Sequence, residues 1–302
     1  MKVKAEKGDA SAQFNLGNMY AAGQGVKKDE AEAVKWYRKA ADQGDASAQF
    51  NLGNMYAAGL GVVKDEAEAV KWYSKADDQG VAQAQYNLGY KYANGQGVAK
   101  DDDKAIKWYR KAADLGLANA QYSLGVCYYN GRGVANDDAE AVKWYRKAAD
   151  QGHALAQYNL GYAYANGQGV VKDEAKAVKW YRKAADQGNA GAQYNLGYAY
   201  ANGEGVPLFE YEEAVYWYRK AADQGHADAQ NNLGSMYWLG NGVPKDEKKA
   251  YKWFLLSEAQ GNKLAMQKIP IIERDLTSIE QDEGRQWVRE WKPLKAQSPQ
   301  KP

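Results

Sequence analysis

Apolar and polar positions in residues 45–80 fall into two successive helical patterns. Asp45 stands where it can cap a helix beginning at Ala46, because its carboxylate can accept an otherwise unpaired N–H of the first turn. Ala48, Leu52, Met55 and Tyr56 then recur at helical spacing, and Gly59 is placed to end the run in a left-handed turn. After the loop "GLGV", Asp65 is a second candidate cap, with Glu66 favourably placed in the first turn. Ala69, Val70, Tyr73 and Ala76 mark one face of the second helix, and Gly80 ends it. The unit is helix, loop, helix, tight turn, with each helix roughly 12–14 residues long. No strand pattern occurs anywhere in the chain.

This unit repeats. Tryptophan recurs at Trp36, Trp72, Trp108, Trp144, Trp180, Trp217 and Trp253, a spacing of 36 with a single 37. A Leu-Gly glycine keeps step at Gly17, Gly53, Gly89, Gly125, Gly161, Gly197 and Gly234. The extra residue lies in "GVPLFEYEEA", between the glycine loop and the tryptophan, where a loop absorbs it. Glycine inside a helix costs about 1 kcal/mol relative to alanine. The expected return is close approach of a neighbouring helix backbone. The loop valines, from Val26 and Val62 to Val206 and Val243, are expected to plug the end of each helix pair. One pair cannot bury its own apolar face, so the pairs must stack.

The expected organisation is an all-α stack of seven repeats over 1–264, preceded by a partial helix, with capping helices over 265–292 and a disordered tail over 293–302. "AEKGDA" near the start matches "ADQGDA" at Ala41, so the chain opens inside a unit. A removed signal peptide or the edge of an expressed fragment would each account for this. Near the far end, Asn262 opens an eighth first helix in which Pro270 replaces the recurring glycine. Thr277 and Glu280 then form a capping box for a helix carrying Ile279, Trp287, Val288 and Trp291.

Composition narrows the partners. The 302 residues include 24 Tyr and 10 Trp against 4 Phe, a bias towards rings that are apolar at one end and wet at the other. Net charge is +2, with 40 basic and 38 acidic residues interspersed and no basic block, which argues against nucleic acid. No apolar run approaches the ~20 residues that span a bilayer, and "MKVKAEKGDA" lacks a signal-peptide core. The single cysteine, Cys127, excludes an intrachain disulfide and reads as a buried, inert thiol.

Candidate chemistry is sparse. The GxGV loops lack the third glycine and the preceding strand of a dinucleotide loop, and their recurrence fits a structural joint. His153 and His226 sit two repeats apart, too far to share a metal whose ligands must lie within ~2.0–2.3 Å; a surface or capping role is expected. "KDDDK" at Lys100 lacks the glycine and distal glutamate of a calcium loop. "SPQK" at Ser298 has no partner motifs and reads as chance. No nucleophilic triad can be assembled from two such histidines. No metal, cofactor or catalytic residue is expected.

The pattern A-x-A-Q-F/Y-N-L-G-x-x-Y-x-x-G-x-G-V-x-x-D-x-x-x-A-V/I-x-W-Y-x-K-A, over about residues 5–262, resembles the Sel1-like repeat, a longer relative of the tetratricopeptide unit. The resemblance implies a right-handed α-solenoid superhelix whose concave face is lined by the first helix of each pair. It also implies an adaptor that binds a protein or peptide and is not an enzyme, often bacterial and often exported to the periplasm or beyond, with the cytoplasm left open. A monomer is expected.

By alignment with tetratricopeptide geometry, the inward positions are Tyr86, Asn87, Tyr90 and Asn94, then Tyr158, Asn159, Tyr162 and Asn166, then Tyr194, Asn195, Tyr198 and Asn202. Asn amides can hold an extended peptide by two-sided hydrogen bonds, and Tyr rings add contact area at low entropy cost. The competing reading makes some of these tyrosines core and has the asparagines bond the neighbouring helix. The fourth unit breaks the ladder with Ser123, Val126 and Tyr129; the first two carry Asn18 and Asn54 where later ones carry Tyr, and the last carries Trp238. The face is nearly neutral, unlike a Lys/Arg clamp for a C-terminal carboxylate. Two other functions fit less well. One is β-lactam chemistry, linked to a cysteine-rich subgroup whose cysteine pairs are missing here; the other is carbohydrate or cell-wall binding through stacked aromatics.

Overall fold

A computed structural model of the protein describes residues 1–206 and 208–294. Among them are seventeen α-helices, one 3-10 turn and no strand. The chain divides into two compact units, Met1–Ala148 and Ala149–Pro302. The first begins with α1 (Lys2–Glu6) and continues as the pairs α2 (Ala10–Ala22) and α3 (Glu30–Asp42), α4 (Ala46–Ala58) and α5 (Glu66–Asp77), and α6 (Ala82–Asn94) and α7 (Asp102–Asp114). It ends with α8 (Ala118–Asn130) and α9 (Asp138–Asp150), which runs through the division. The second holds α10 (Ala154–Asn166) and α11 (Glu174–Asp186), α12 (Ala190–Asn202) and α13 (Tyr211–Asp223), and α14 (Ala227–Leu239) and α15 (Glu247–Glu258). It closes with α16 (Lys263–Ile272), the 3-10 turn Glu273–Asp275 and α17 (Ser278–Glu290). Within each unit consecutive helices pack against one another, the arrangement of an α-solenoid.

The expected caps are in place. Asp45 accepts the Ala48 N–H at 2.8 Å and Asp65 that of Glu68 at 2.9 Å. His153 and His226 fill the same role through Nδ1, accepting from Ala156 and Ala229. Gly59 ends α4 in the left-handed region at φ 69°. Gly61 serves close approach as well: a Cβ there would fall 2.2 Å from the Glu30 carbonyl oxygen of the preceding repeat. The loop valines Val62, Val98 and Val134 pack against the ends of their cores.

The Leu-Gly glycine lies against its partner helix, but what it admits is a ring. A Cβ on Gly53 would sit 2.6 Å from the Tyr73 ring, and further, at 3.3 Å, from the Ala69 carbonyl. The same seat joins Gly89 to Tyr109 and Gly125 to Tyr145 (each 2.6 Å), and Gly161 to Tyr181, Gly197 to Tyr218 and Gly234 to Phe254 (each 2.7 Å). Burying one such ring contributes roughly 1.5–3 kcal/mol, which exceeds the ~1 kcal/mol that the helical glycine costs. The adjacent tryptophan points the other way: Trp72 buries itself between the repeats, against Ala33 and Tyr37 of the preceding one and Leu52 of its own. Arg38 lies between the Tyr56 and Trp72 rings, at 5.6 and 5.9 Å, and donates to the Tyr56 hydroxyl.

A glutamine chain ties successive repeats together. Gln43 Nε2 donates to Gln13 Oε1 at 2.7 Å, while Gln13 Nε2 donates to the Ala5 carbonyl at 3.0 Å. Gln79–Gln49 and Gln187–Gln157 repeat the first bond at 2.8 and 2.7 Å. Leu115 occupies the corresponding place opposite Gln85, so the buried Gln85 Oε1 has no hydrogen-bond partner. This is the kind of buried polar defect that folded proteins mostly avoid.

At the far end the ring seat recurs in different sequence. Gly284 of α17 receives the Tyr251 ring, where a Cβ would meet it at 2.7 Å, and the Thr277–Glu280 capping box starts that helix. Pro270 lies within α16. Of the expected tail, Leu294 donates its N–H to the Asp223 carbonyl at 2.7 Å; residues 295–302 lie outside the described residues.

Two substitutions test this packing. Gly161→Ala raises helix propensity, yet it should destabilise by about 1–3 kcal/mol, because the new methyl overlaps the Tyr181 ring; urea unfolding measures it, and a gain in stability would contradict the ring seat. Leu115→Gln should stabilise by about 1 kcal/mol in the same assay, by supplying the donor that Gln85 Oε1 lacks.

Candidate partner-binding face

The three tyrosine–asparagine sets lie on α6 in the first unit and on α10 and α12 in the second, and their members divide by role. Tyr86, Tyr158 and Tyr194 are half-buried, with rings 5.8, 6.0 and 6.0 Å from the seated rings of Tyr109, Tyr181 and Tyr218. Tyr194 also stacks on His226 at 4.8 Å. Tyr90, Tyr162 and Tyr198 are exposed by 45, 40 and 42%.

Scaffold bonds already occupy most of the asparagines. Asn94, Asn166 and Asn202 donate to the carbonyls of Tyr90, Tyr162 and Tyr198, one turn earlier, at 2.8–2.9 Å. Asn87 donates to Asn54 Oδ1 at 3.3 Å, and that oxygen also accepts the Tyr73 hydroxyl at 2.8 Å. Asn195 lies within hydrogen-bonding reach of both Tyr181 and Tyr158. The first tyrosine of each set and these amides make scaffold contacts, while the second tyrosine faces solvent.

In the second unit, Tyr162, Asn166, Asn195 and Tyr198 converge on one cleft of about 310 Å³ between α10 and α12, floored by α11. Tyr86, Tyr90 and Asn94 line a similar cleft of about 280 Å³ in the first unit. Asn87, Tyr158, Asn159, Tyr194 and Asn202 line neither of these clefts. Charged residues that sequence reasoning passed over complete them. Lys172, Glu174 and Glu204 rim the second-unit cleft, whereas Asp102 and Arg132, 3.2 Å apart, rim the other. The available signal was position 204, where glutamate replaces the glutamine of "GQGV". Cys127 also faces the first-unit cleft; burial pushes its thiol up to about 11, partly opposed by Arg132, which keeps it protonated and unreactive near neutrality.

The Sel1 repeat profile matches residues 10–45, 46–81, 82–117, 118–153, 154–189, 190–226 and 227–262. The chain belongs to the Sel1 repeat family. A Sel1 repeat protein from Oxalobacter formigenes has 40% identity and a TM-score of 0.72, over 89% of this chain and 77% of that one. A protective antigen of uropathogenic Escherichia coli strains, also of this fold, has 33% identity over 95% of this chain and 77% of its own, with a TM-score of 0.45. The anaphase-promoting-complex assembly Cut9–Hcn1 shares the fold alone, at 17% identity and a TM-score of 0.50, over 89% of this chain and 47% of that one. No curated protein matches.

Sel1 repeats typically mediate protein–protein interaction and are generally non-catalytic. No helix among the described residues is long and apolar enough to cross a membrane, and no cluster of three or more His, Cys, Asp or Glu residues there could hold a metal ion.

The seated tyrosines should make this Sel1 repeat scaffold sensitive to alkali. Burial pushes the Tyr73 hydroxyl up to about 12, and burial raises Tyr181 and Tyr218 as well. A raised folded value means that the native state holds its proton longer than the unfolded chain does. The contribution is complete below the ordinary value near 10 and is lost as pH rises from there to about 12. Unfolding midpoints measured between pH 8 and 12 should fall above pH 10, and Tyr73→Phe should lessen that fall.

Proposed function

We propose that this Sel1 repeat protein is a non-enzymatic adaptor that binds a segment of a partner protein along the face of its first helices. One observation carries the reading: the recurring ring of the second helix is buried, yet Tyr90, Tyr162 and Tyr198 of the first helices stand exposed beside open clefts. Tyrosine side chains at 40–45% exposure offer large contact area with few rotatable bonds, which suits binding. Each neighbouring asparagine keeps its Oδ1 as an acceptor while its amide holds the helix end, so a backbone N–H of an extended peptide has a fixed target. The exported setting, periplasmic or secreted, is retained as part of this reading.

The triple variant Tyr162→Ala, Asn166→Ala, Tyr198→Ala tests it. These side chains face a cleft, so helicity should stay at the wild-type level by circular dichroism. Partner capture from envelope and host protein fractions should fall at least tenfold. Undiminished capture would remove the face from consideration.

A further inference from the structure

The repeats are near-copies, so one cleft can be read against its siblings. Each second helix of interest opens with an acidic residue that looks into the cleft beneath the next first helix. In α5 that residue is Glu66, and Lys91 of α6 answers it at 2.6 Å, with only 9% of the lysine side chain exposed. The same ammonium lies 5.9 Å over the Tyr90 ring. In α7 the acidic residue is Asp102, and Arg132, from the loop after α8, answers it at 3.2 Å. Twice, then, the following repeat supplies a cation, and once that cation also rests on a tyrosine.

The second-unit cleft has the acid and the tyrosines without such a cation. Glu174 of α11 corresponds to both Glu66 and Asp102; in the Glu66 frame Tyr198 and Ala199 stand where Tyr90 and Lys91 do, and in the Asp102 frame Tyr162 and Glu204 stand where Tyr90 and Arg132 do. Lys172, from the loop before α11, pairs with Glu174 at 2.7 Å with 60% of its side chain exposed. This local pair does not displace the second cation elsewhere: Lys64 lies 3.1 Å from Glu66 and Lys100 lies 3.5 Å from Asp102 while Lys91 and Arg132 are in place. Glu204 is exposed and, among the described residues, makes no ion pair. The cleft thus carries two carboxylates against one ammonium, beside two half-exposed tyrosine rings.

We propose that this cleft receives a lysine or arginine side chain of the bound partner, its charge held between Glu174 and Glu204 and its stem against Tyr162 and Tyr198. The inference rests on the adaptor reading and specifies what the partner must present: an extended segment with a basic anchor residue. A cation desolvated beside two carboxylates and a ring gains both Coulomb and cation–π attraction. The ~310 Å³ cleft has room for one long side chain rather than a folded element.

The probe is the peptide acetyl-Ala-Arg-Ala-amide, with its lysine and citrulline counterparts, titrated into the full chain with labelled tyrosine. NMR follows the ring signals of Tyr162 and Tyr198. Arginine and lysine peptides should give saturable shifts, with citrulline at least tenfold weaker. Glu174→Gln with Glu204→Gln should weaken binding at least tenfold. Glu204→Arg copies the Arg132–Asp102 arrangement within the chain itself, so it should keep wild-type helicity and abolish peptide binding. No saturable shift, citrulline binding as well as arginine, or wild-type affinity in the glutamine variant overturns the inference. Partner capture separates the two readings. Capture lost in the Tyr162, Asn166, Tyr198 triple variant but undiminished by Glu204→Arg removes the basic anchor and leaves the adaptor face standing. Capture unaffected by the triple variant removes the adaptor reading whatever the peptide does.

Discussion

The structure depends on a missing atom. Each first helix lacks a Cβ at its Leu-Gly glycine, and the ring from its partner helix occupies that volume. An aromatic ring cannot slide along such a seat without meeting the helix backbone, so the contact sets both the separation of the two helices and their register. The tryptophan one residue earlier then faces the preceding repeat, as Trp72 does. A single Trp-Tyr dipeptide therefore makes the bond within a repeat and the bond between repeats. The protein uses the seat once more at its end, where Gly284 receives Tyr251 although the surrounding residues no longer follow the repeat.

Once the rings are seated, their hydroxyls must be satisfied, and this requirement shapes the candidate site. In the first repeats the hydroxyls of Tyr37 and Tyr73 donate to Asn18 and Asn54 on their partner helices. Later repeats place Tyr162 and Tyr198 at those positions, which leaves the buried hydroxyls of Tyr181 and Tyr218 within reach of Asn195 and Asn232 of the next first helix, as those of Tyr37 and Tyr73 also are of Asn51 and Asn87. Of the two asparagines beside the hydroxyl in the first repeats, only the one on the neighbouring repeat is kept. The position given up on the first helix holds an exposed ring. The proposed binding face thus includes positions from which a scaffold asparagine has been withdrawn.

How much of this the sequence disclosed follows from the range of each interaction. Helices, caps and loops were legible, because Asp45, Gly59 and Asp65 act on backbone groups a few residues away. The repeat was legible because its rings and glycines recur at one period. The occupant of the glycine's space was misjudged as backbone, since a gap in sequence does not say what fills it. Gln85 was invisible as a defect because the donor it lacks lies thirty residues away, at Leu115. The scaffold contacts within the ladder were hidden for a similar reason: Asn87 and Asn195 look free in one helix, and only the preceding repeat shows the Asn54 oxygen and the Tyr181 hydroxyl beside them. The acidic rim went unread because Glu174 gains meaning only beside Glu204 of the following repeat.

Near-identity of the repeats bears on how such a protein can be specific. Positions engaged in the ring seat, the caps and the glutamine chain are constrained by contacts that every repeat must make. Positions 91, 132, 199 and 204 are not; they hold Lys, Arg, Ala and Glu in equivalent clefts without altering the helices around them. Lysine and arginine of the following repeat answer the acid in two clefts, whereas alanine and glutamate leave the acid of a third without such a partner. Discrimination between partners needs both an attractive site and sites that refuse. On the proposed adaptor reading, a stack whose clefts change charge one residue at a time supplies both, without disturbing the contacts that hold it together.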